Sequence, residues 1–158
     1  FSMARVSEKA LIKDKKMTQV GIIVEDMEKV AEAWTNFLGL DEVPEVSIAE
    51  GHASRPTHFK GKPSEAKAKL AFFQLDNLTI ELIEPLEGPS TWREFLDTRG
   101  PGIHHVAIVI RGMGKNNEIC VQSGMDLDQK GEYTGGRYAY LNGTKDLGMI
   151  VELLENDE

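Results

Sequence analysis

The chain has 158 residues, 41% of them hydrophobic and 28% charged, which suits one domain able to bury a core and argues against two. With 18 Lys and Arg against 26 Asp and Glu, the net charge of -8 disfavours a nucleic-acid footprint, and a single cysteine, Cys120, allows neither an internal disulfide nor a thiolate-rich zinc site. No apolar run approaches the ~20 residues of a membrane span and no secretory leader is legible, so the expected setting is cytoplasmic, away from membrane and nucleic acid.

Residues 1–16, polar and lysine-rich around Lys13, Lys15 and Lys16, read as a flexible lead-in to a single domain over 17–156. QVGIIV (19–24) is apolar and β-branched, the pattern of a buried strand. Asp26 suits a helix N-cap, with Met27, Val30, Ala31, Trp34, Phe37 and Leu38 on one face and Gly39 as the stop. Residues 52–69 carry Arg55, Lys60, Lys62, Lys67 and Lys69 against one acid, Glu65, and are broken by proline and glycine, so they read as a mobile, locally positive loop. LAFFQL (70–75) and LTIELIE (78–84) flank Asp76-Asn77 as a hairpin. Ser90 caps a short helix carrying Trp92, Phe95 and Leu96, which Gly100-Pro101-Gly102 ends. A strand over 104–110, a weaker helix over about 115–123, and strands over 137–141 and 148–155 complete the chain, with a turn at Asn142 to Asp146. Trp34 and Trp92 are read as core before ligand platforms, given their helical spacing to other apolar residues.

These elements repeat. A shift of 86 residues lays TQVGIIVEDMEKVAEAW on HHVAIVIRGMGKNNEIC, and a shift of 71 lays IELIE (80–84) on VELLE (151–155). The first copy is longer by the 52–69 loop. Two copies of one strand-helix-strands unit, about 17–86 and 103–156, predict a pseudo-symmetric α+β domain with a shared cleft.

Polar residues interrupt the strands at equivalent places: Gln19 and His105 in the leading strands, Glu81 and Glu152 in the closing ones. Period-two geometry sets each beside small or apolar neighbours, facing a partly dry cavity. Taken singly, a strand Glu is usually solvated and a strand His is usually a core residue. Taken together, two buried carboxylates repel unless a proton or a cation lies between them, and Gln, Glu, His and Glu form an oxygen-rich donor set for one divalent ion such as Zn, Co, Mn, Ni or Fe.

The segments QVGIIVEDMEKVAEAWTNFLGL, FFQLDNLTIELIEP, FLDTRGPGIHHVAIVI and GMIVELLE resemble the vicinal oxygen chelate superfamily (glyoxalase/bleomycin resistance/dioxygenase), and within it the methylmalonyl-CoA epimerases. The resemblance covers about residues 17–155. It implies paired βαβββ modules in one cupped mixed sheet, and one divalent metal whose ligands fall by position on Gln19, Glu81, His105 and Glu152. His104 is expected on the opposite face of its strand and is not carried over. Epimerases of the family usually have His where Gln19 stands; a Gln-Glu-His-Glu set instead resembles glyoxalase I of the eukaryotic type. That enzyme's glutathione-anchoring Arg corresponds to Ile23 here, and its Asn to Pro85.

The chemistry implied is proton removal next to a carbonyl through a metal-stabilised enolate, as in an epimerase, with Glu152 as one acid/base and Glu65, in a proline-containing loop ahead of a strand, as the other. Burial near Phe72 or Phe73 is expected to make Glu65 a weaker acid. The positive loop could meet the phosphates of an acyl-CoA or another acid substrate. The alternatives are a glyoxalase-like isomerase or lyase on another hydroxycarbonyl or sugar-derived compound, and a metal-free small-molecule binding or resistance protein. The resemblance also implies a homodimer.

Overall fold

The computed structural model describes residues 10–158; residues 1–9, and with them most of the lead-in expected over 1–16, lie outside the described residues. The first module runs β1 (Lys16–Ile23), α1 (Met27–Leu38), β2 (Ser47–Glu50), the short strands β3 (Thr57–Phe59) and β4 (Lys62–Ser64), β5 (Lys67–Gln74) and β6 (Thr79–Pro85). After the linking helix α2 (Thr91–Arg99), the second runs β7 (Gly102–Val109), α3 (Met113–Gln122), β8 (Asp126–Tyr133), β9 (Gly136–Gly143), the single turn α4 (Thr144–Leu147) and β10 (Met149–Asn156). All ten strands form one curled mixed sheet, ordered β2-β5-β6-β1-β7-β10-β9-β8-β3-β4. The two leading strands meet antiparallel at its centre, and each pairs in parallel with its own module's closing strand, β1 with β6 and β7 with β10. This is the expected α+β architecture of two βαβββ modules.

Period-two patterning sorts the core into layers. Val20 and Ile22 of β1 and Ile80 and Leu82 of β6 pack outward with Met27 and Ala31 of α1. Ile108, Val151 and Leu153 pack outward with Met113 and Cys120 of α3. Between them, Ile23, Ile83 and Tyr140 on the inner face enclose Trp92, against which Phe95 and Leu96 of α2 pack. The same symmetry caps the helices. Glu84 accepts the Met27 N–H at 2.8 Å, and its equivalent Glu155 accepts the Gly112 and Met113 N–H groups at 2.6 and 3.2 Å. Each closing strand therefore satisfies orphan donors at the start of its own module's helix.

Three expectations change. Residues 52–69 are not a continuous loop: they contain the β3–β4 hairpin, and β3 pairs with β8 of the other module. Because residues 51–56 alone join β2 to β3, and an extended chain of that length spans only about 20 Å, the hairpin ties together the two ends of the curled sheet. Three lysines of the hairpin and the strand after it are matched, Lys60 on Glu94 at 2.7 Å, Lys67 on Glu50 at 3.3 Å and Lys69 on Glu28 at 3.0 Å. Phe37, expected on the buried face of α1, is 81% exposed, its ring edge-on to Trp34; Thr35 takes the buried place and bonds back to the Ala31 carbonyl. The expected turn at 142–146 runs into the four-residue α4, which ends one residue beyond it, and α3 begins two residues before Lys115.

At the sheet's centre Gly21 stands opposite His105, and a Cβ there would lie 2.0 Å from the imidazole Cε1. Gly21→Ala therefore overpacks a fully buried ring and is expected to cost about 1–3 kcal/mol. Denaturant unfolding checks this; a loss below about 0.5 kcal/mol shows that the ring moves freely.

Candidate metal centre

Four donors are delivered to the inner floor by two rows of the sheet. One row runs Glu81, Gly21, His105 across β6, β1 and β7; the other runs Gln19, Ala107, Glu152 across β1, β7 and β10. Gly21 and Ala107, equivalent in the repeat, are the small centres of these rows, so the longer side chains reach across them. His105 is fully buried, Glu152 and Glu81 are 4% and 7% exposed, and Gln19 is half-buried.

The donor atoms converge. His105 Nε2 lies 3.0 Å from Gln19 Oε1, 3.3 Å from Glu152 Oε1 and 3.5 Å from Glu81 Oε1. The same end of the Gln19 amide lies 3.2 Å from Glu81 and 2.9 Å from Glu152, so the amide oxygen faces acceptors while its nitrogen faces donors. Donors each roughly 2.1 Å from one ion stand about 3.0–3.4 Å apart, which matches this spacing. Without an ion, rotating the amide by half a turn would let its nitrogen donate to both carboxylates and to the imidazole. The four residues fit a divalent ion on both counts, spacing and acceptor chemistry, and the set contains no sulfur.

The electrostatics point the same way. Burial, and then the neighbouring Glu152 carboxylate, push the Glu81 carboxyl well above its usual value. A proton, a donated N–H or a cation must therefore lie between the two acids.

His104 departs from expectation. A register shift between Gly21 and Ile22 leaves His104 without a partner in β1, since Gly21 pairs with His105 and Ile22 with Ile103. This bulge suspends the strict alternation of faces. The His104 ring, 1% exposed, packs edge-on to Phe95 and Tyr140, and its Nδ1 lies 2.8 Å from His105 Nδ1. Burial, then His105 and Arg99, hold its pKa well below the usual histidine value, against a backbone hydrogen bond to Thr91, so it is neutral.

Above the floor opens a cavity of about 630 Å³. Leu70 and Phe72 of β5, with Ile48 of β2, form an apolar wall; Trp92, Tyr138 and Tyr140 form another; Glu132, His52 and Arg55 stand among the polar lining residues. Tyr140 is buried and accepts the Trp92 indole N–H at 3.0 Å. Burial pushes the Tyr133 phenol to about 12 and raises Tyr138 and Tyr140 further, so these phenols are neutral donors rather than bases.

Glu65 is not brought to this floor. It is exposed, between β4 and β5, and lines a separate depression with Pro63, Lys67 and Glu87. The expected burial against Phe72 or Phe73 fails because the β3–β4 hairpin carries this segment to the outside of the sheet's seam, while Phe73 points into the α1 layer. Tyr138, Tyr140 and His104 were missed as site residues; the alternation of RYAYL held the signal for the tyrosines, and the bulge that turns His104 inward has none.

Residues 18–140 match the glyoxalase/bleomycin resistance protein/dioxygenase superfamily. An uncharacterized protein of Bacillus subtilis (strain 168), YqjC, is 24% identical over 143 residues, 89% of this chain and 91% of that protein. Among solved structures, a hypothetical protein of Bacillus halodurans C-125 superposes with a TM-score of 0.64 at 25% identity, over 92% of this chain and 96% of that one. The methylmalonyl-CoA epimerase of Mycobacterium tuberculosis superposes at 0.62 with 22% identity, over 96% and 95%. That of Streptomyces coelicolor, in complex with 2-nitronate-propionyl-CoA, superposes at 0.60 with 17% identity, over 92% and 100%. Among the described residues no helix is long and apolar enough to cross a membrane. With its paired modules, curled sheet and matched segment, the chain belongs to the glyoxalase/bleomycin resistance protein/dioxygenase superfamily.

Proposed function

We propose that the protein is a divalent-metal-dependent enzyme that moves a proton next to a carbonyl, an epimerase or isomerase whose first activity to assay is that of methylmalonyl-CoA epimerase. The observation that carries this is the convergence of Gln19, Glu81, His105 and Glu152 on one buried point at the foot of an open cavity. A bound ion would supply positive charge to the carbonyl oxygen of the substrate and so stabilise the enolate formed when the adjacent proton leaves. Glu152 is the group proposed to take that proton, since it belongs to the donor set and sits on the cavity floor. The tyrosines offer hydrogen bonds to substrate oxygens, and the Leu70–Phe72 wall keeps water from one side of the reacting carbon.

Arg55 supports an acid substrate. It is the one Lys or Arg among the described residues lining the cavity, and its ion pair with Glu132 is long, 3.6 Å, and two-thirds exposed on the arginine side. A carboxylate or phosphate could displace so weak a partner. A cavity of about 630 Å³ holds a small acid or the acyl end of an acyl-CoA, with the nucleotide outside.

A second reading has its own observation. An epimerase needs an acid and a base on opposite faces of the carbon, and Glu65 does not reach the cavity, whose wall on the β5 side is Leu70 and Phe72. One buried base suits an isomerase that returns the proton on the same face, or a lyase in which the proton passes to the departing group as the double bond forms. A homodimer and a cytoplasmic setting remain part of the proposal.

Metal content of the purified protein is expected to reach one divalent ion per chain and to vanish in His105→Ala, whereas Gln19→His retains it. If wild type holds no ion after loading and Glu81→Ala is no different from it in uptake or stability, the metal-free binding reading stands instead. In D2O, metal-loaded protein is expected to place deuterium on the α-carbon of methylmalonyl-CoA. No exchange at high enzyme concentration removes that substrate and leaves the smaller hydroxycarbonyl acids to be tried.

The raised Glu81 carboxyl also predicts a pH dependence. Folded chelator-treated protein keeps a proton that the unfolded chain releases near 4.5, so this group's contribution is fully present below that pH and is lost as pH rises through the higher folded value. His104, whose pKa is lowered, contributes in the opposite sense below 6.5. Thermal melts of wild type and Glu81→Gln, both in chelator, cancel that second effect: wild type is expected to lose ground to the variant from pH 5 to pH 8. A constant difference would mean that Glu81 ionises without penalty.

A further inference from the structure

Resting on the metal reading above, we propose that His104 is a positioning residue that sets which nitrogen of His105 carries the hydrogen, leaving the Nε2 that faces the donor cluster free to ligate. The two Nδ1 atoms lie 2.8 Å apart, closer than two lone pairs tolerate, so one hydrogen sits between them. If that hydrogen belongs to His104, the His105 proton lies on Nε2, which then donates to the Gln19 oxygen 3.0 Å away and cannot ligate. If it belongs to His105, the lone pair of His105 Nε2 points at the convergence of Glu81, Glu152 and Gln19, and the His104 proton moves to Nε2. That second arrangement needs an acceptor on Nδ1 of His105, and His104 supplies it.

Three features fit this role rather than one of packing alone. The bulge in β7 turns His104 to the side of His105, where regular alternation would have buried an apolar residue in the opposite layer. Phe95 and Tyr140 hold the ring edge-on from two sides, fixing Nδ1 in place. His104 Nε2 is buried and makes no well-formed hydrogen bond, and the Thr91 backbone is the polar group beside the ring, so the ring is not locked into one tautomer from that side. Ligating histidines commonly give their second N–H to a carboxylate or carbonyl; here a neutral imidazole takes that place. Metal loading and the tautomers of both rings are therefore linked, with one proton passing through solvent from His105 Nε2 to His104 Nε2 and no net change in charge.

The test compares wild type, His104→Asn and His104→Phe. The Asn side-chain oxygen falls near the Nδ1 position and can accept the His105 N–H; Phe fills the space and cannot. Zinc titration of each protein is expected to give affinities within a few-fold for wild type and His104→Asn, and about ten- to a hundred-fold weaker for His104→Phe. Nitrogen-15 spectra of histidine-labelled, zinc-loaded wild type are expected to show His105 protonated on Nδ1 and His104 on Nε2. Equal zinc affinity in wild type and His104→Phe overturns the proposal, as does equal loss in both variants accompanied by equal drops in melting temperature, which marks a structural role. Wild type that binds zinc while His104→Phe is unchanged leaves the metal reading standing, whereas wild type that binds no divalent ion overturns both.

Discussion

Two carboxylates buried within reach of one imidazole are the constraint around which this fold is built. Each ion alone would cost several kcal/mol to desolvate, and each raises the cost of the other. Only something positive between Glu81 and Glu152 relieves that, whether a shared proton, an amide N–H from Gln19 or a metal. The sheet around them is arranged to leave room for it. Gly21 has no side chain beneath His105, and Ala107 has a minimal one between Gln19 and Glu152. A larger residue in either row would fill the point where the donors meet.

Pseudo-symmetry explains why the four donors arrive together. Each module supplies one residue from its leading strand and one from its closing strand, and those two strands are parallel neighbours. Joining the modules antiparallel through β1 and β7 then sets both pairs on one floor. The helix caps obey the same rule, with Glu84 and Glu155 three residues beyond Glu81 and Glu152 on their strands and turned to the outside. Alternation along a single strand thus assigns one acid to the site and the next to the helix.

This is why so much was legible in the residues. Gln19, Glu81, His105 and Glu152 interrupt apolar strands, and the repeat aligns them without any knowledge of the fold. The α1 and α2 caps at Asp26 and Ser90 were equally plain, because an N-cap is a local hydrogen bond, here to Lys29 and Arg93. What stayed hidden was non-local. β8 is polar (DLDQKGEY) and becomes a strand by pairing with β9; β3 and β4 are three residues each and exist because β8 offers an edge. The bulge that brings in His104 depends on how β1 and β7 register, which no local pattern in HHVAIVI records.

The β3–β4 hairpin shows how an insertion can change a site without touching its floor. By sequence it interrupts the first module, yet it hydrogen-bonds to the second, so the cavity mouth is edged by both. It brings Arg55 and His52 to the lining and carries Glu65 away to the outer depression. In the proposed function the floor is where a substrate oxygen would be polarised, and the hairpin sets which charged group would stand at the other end of the molecule. On that reading, a chain sharing the four floor residues but lacking residues 51–66 would keep the chemistry next to the carbonyl while losing the arginine proposed to favour an acid. Under the proposed function, reaction type and substrate choice reside in different parts of this sequence, the first in the repeat and the second in the segment that breaks it.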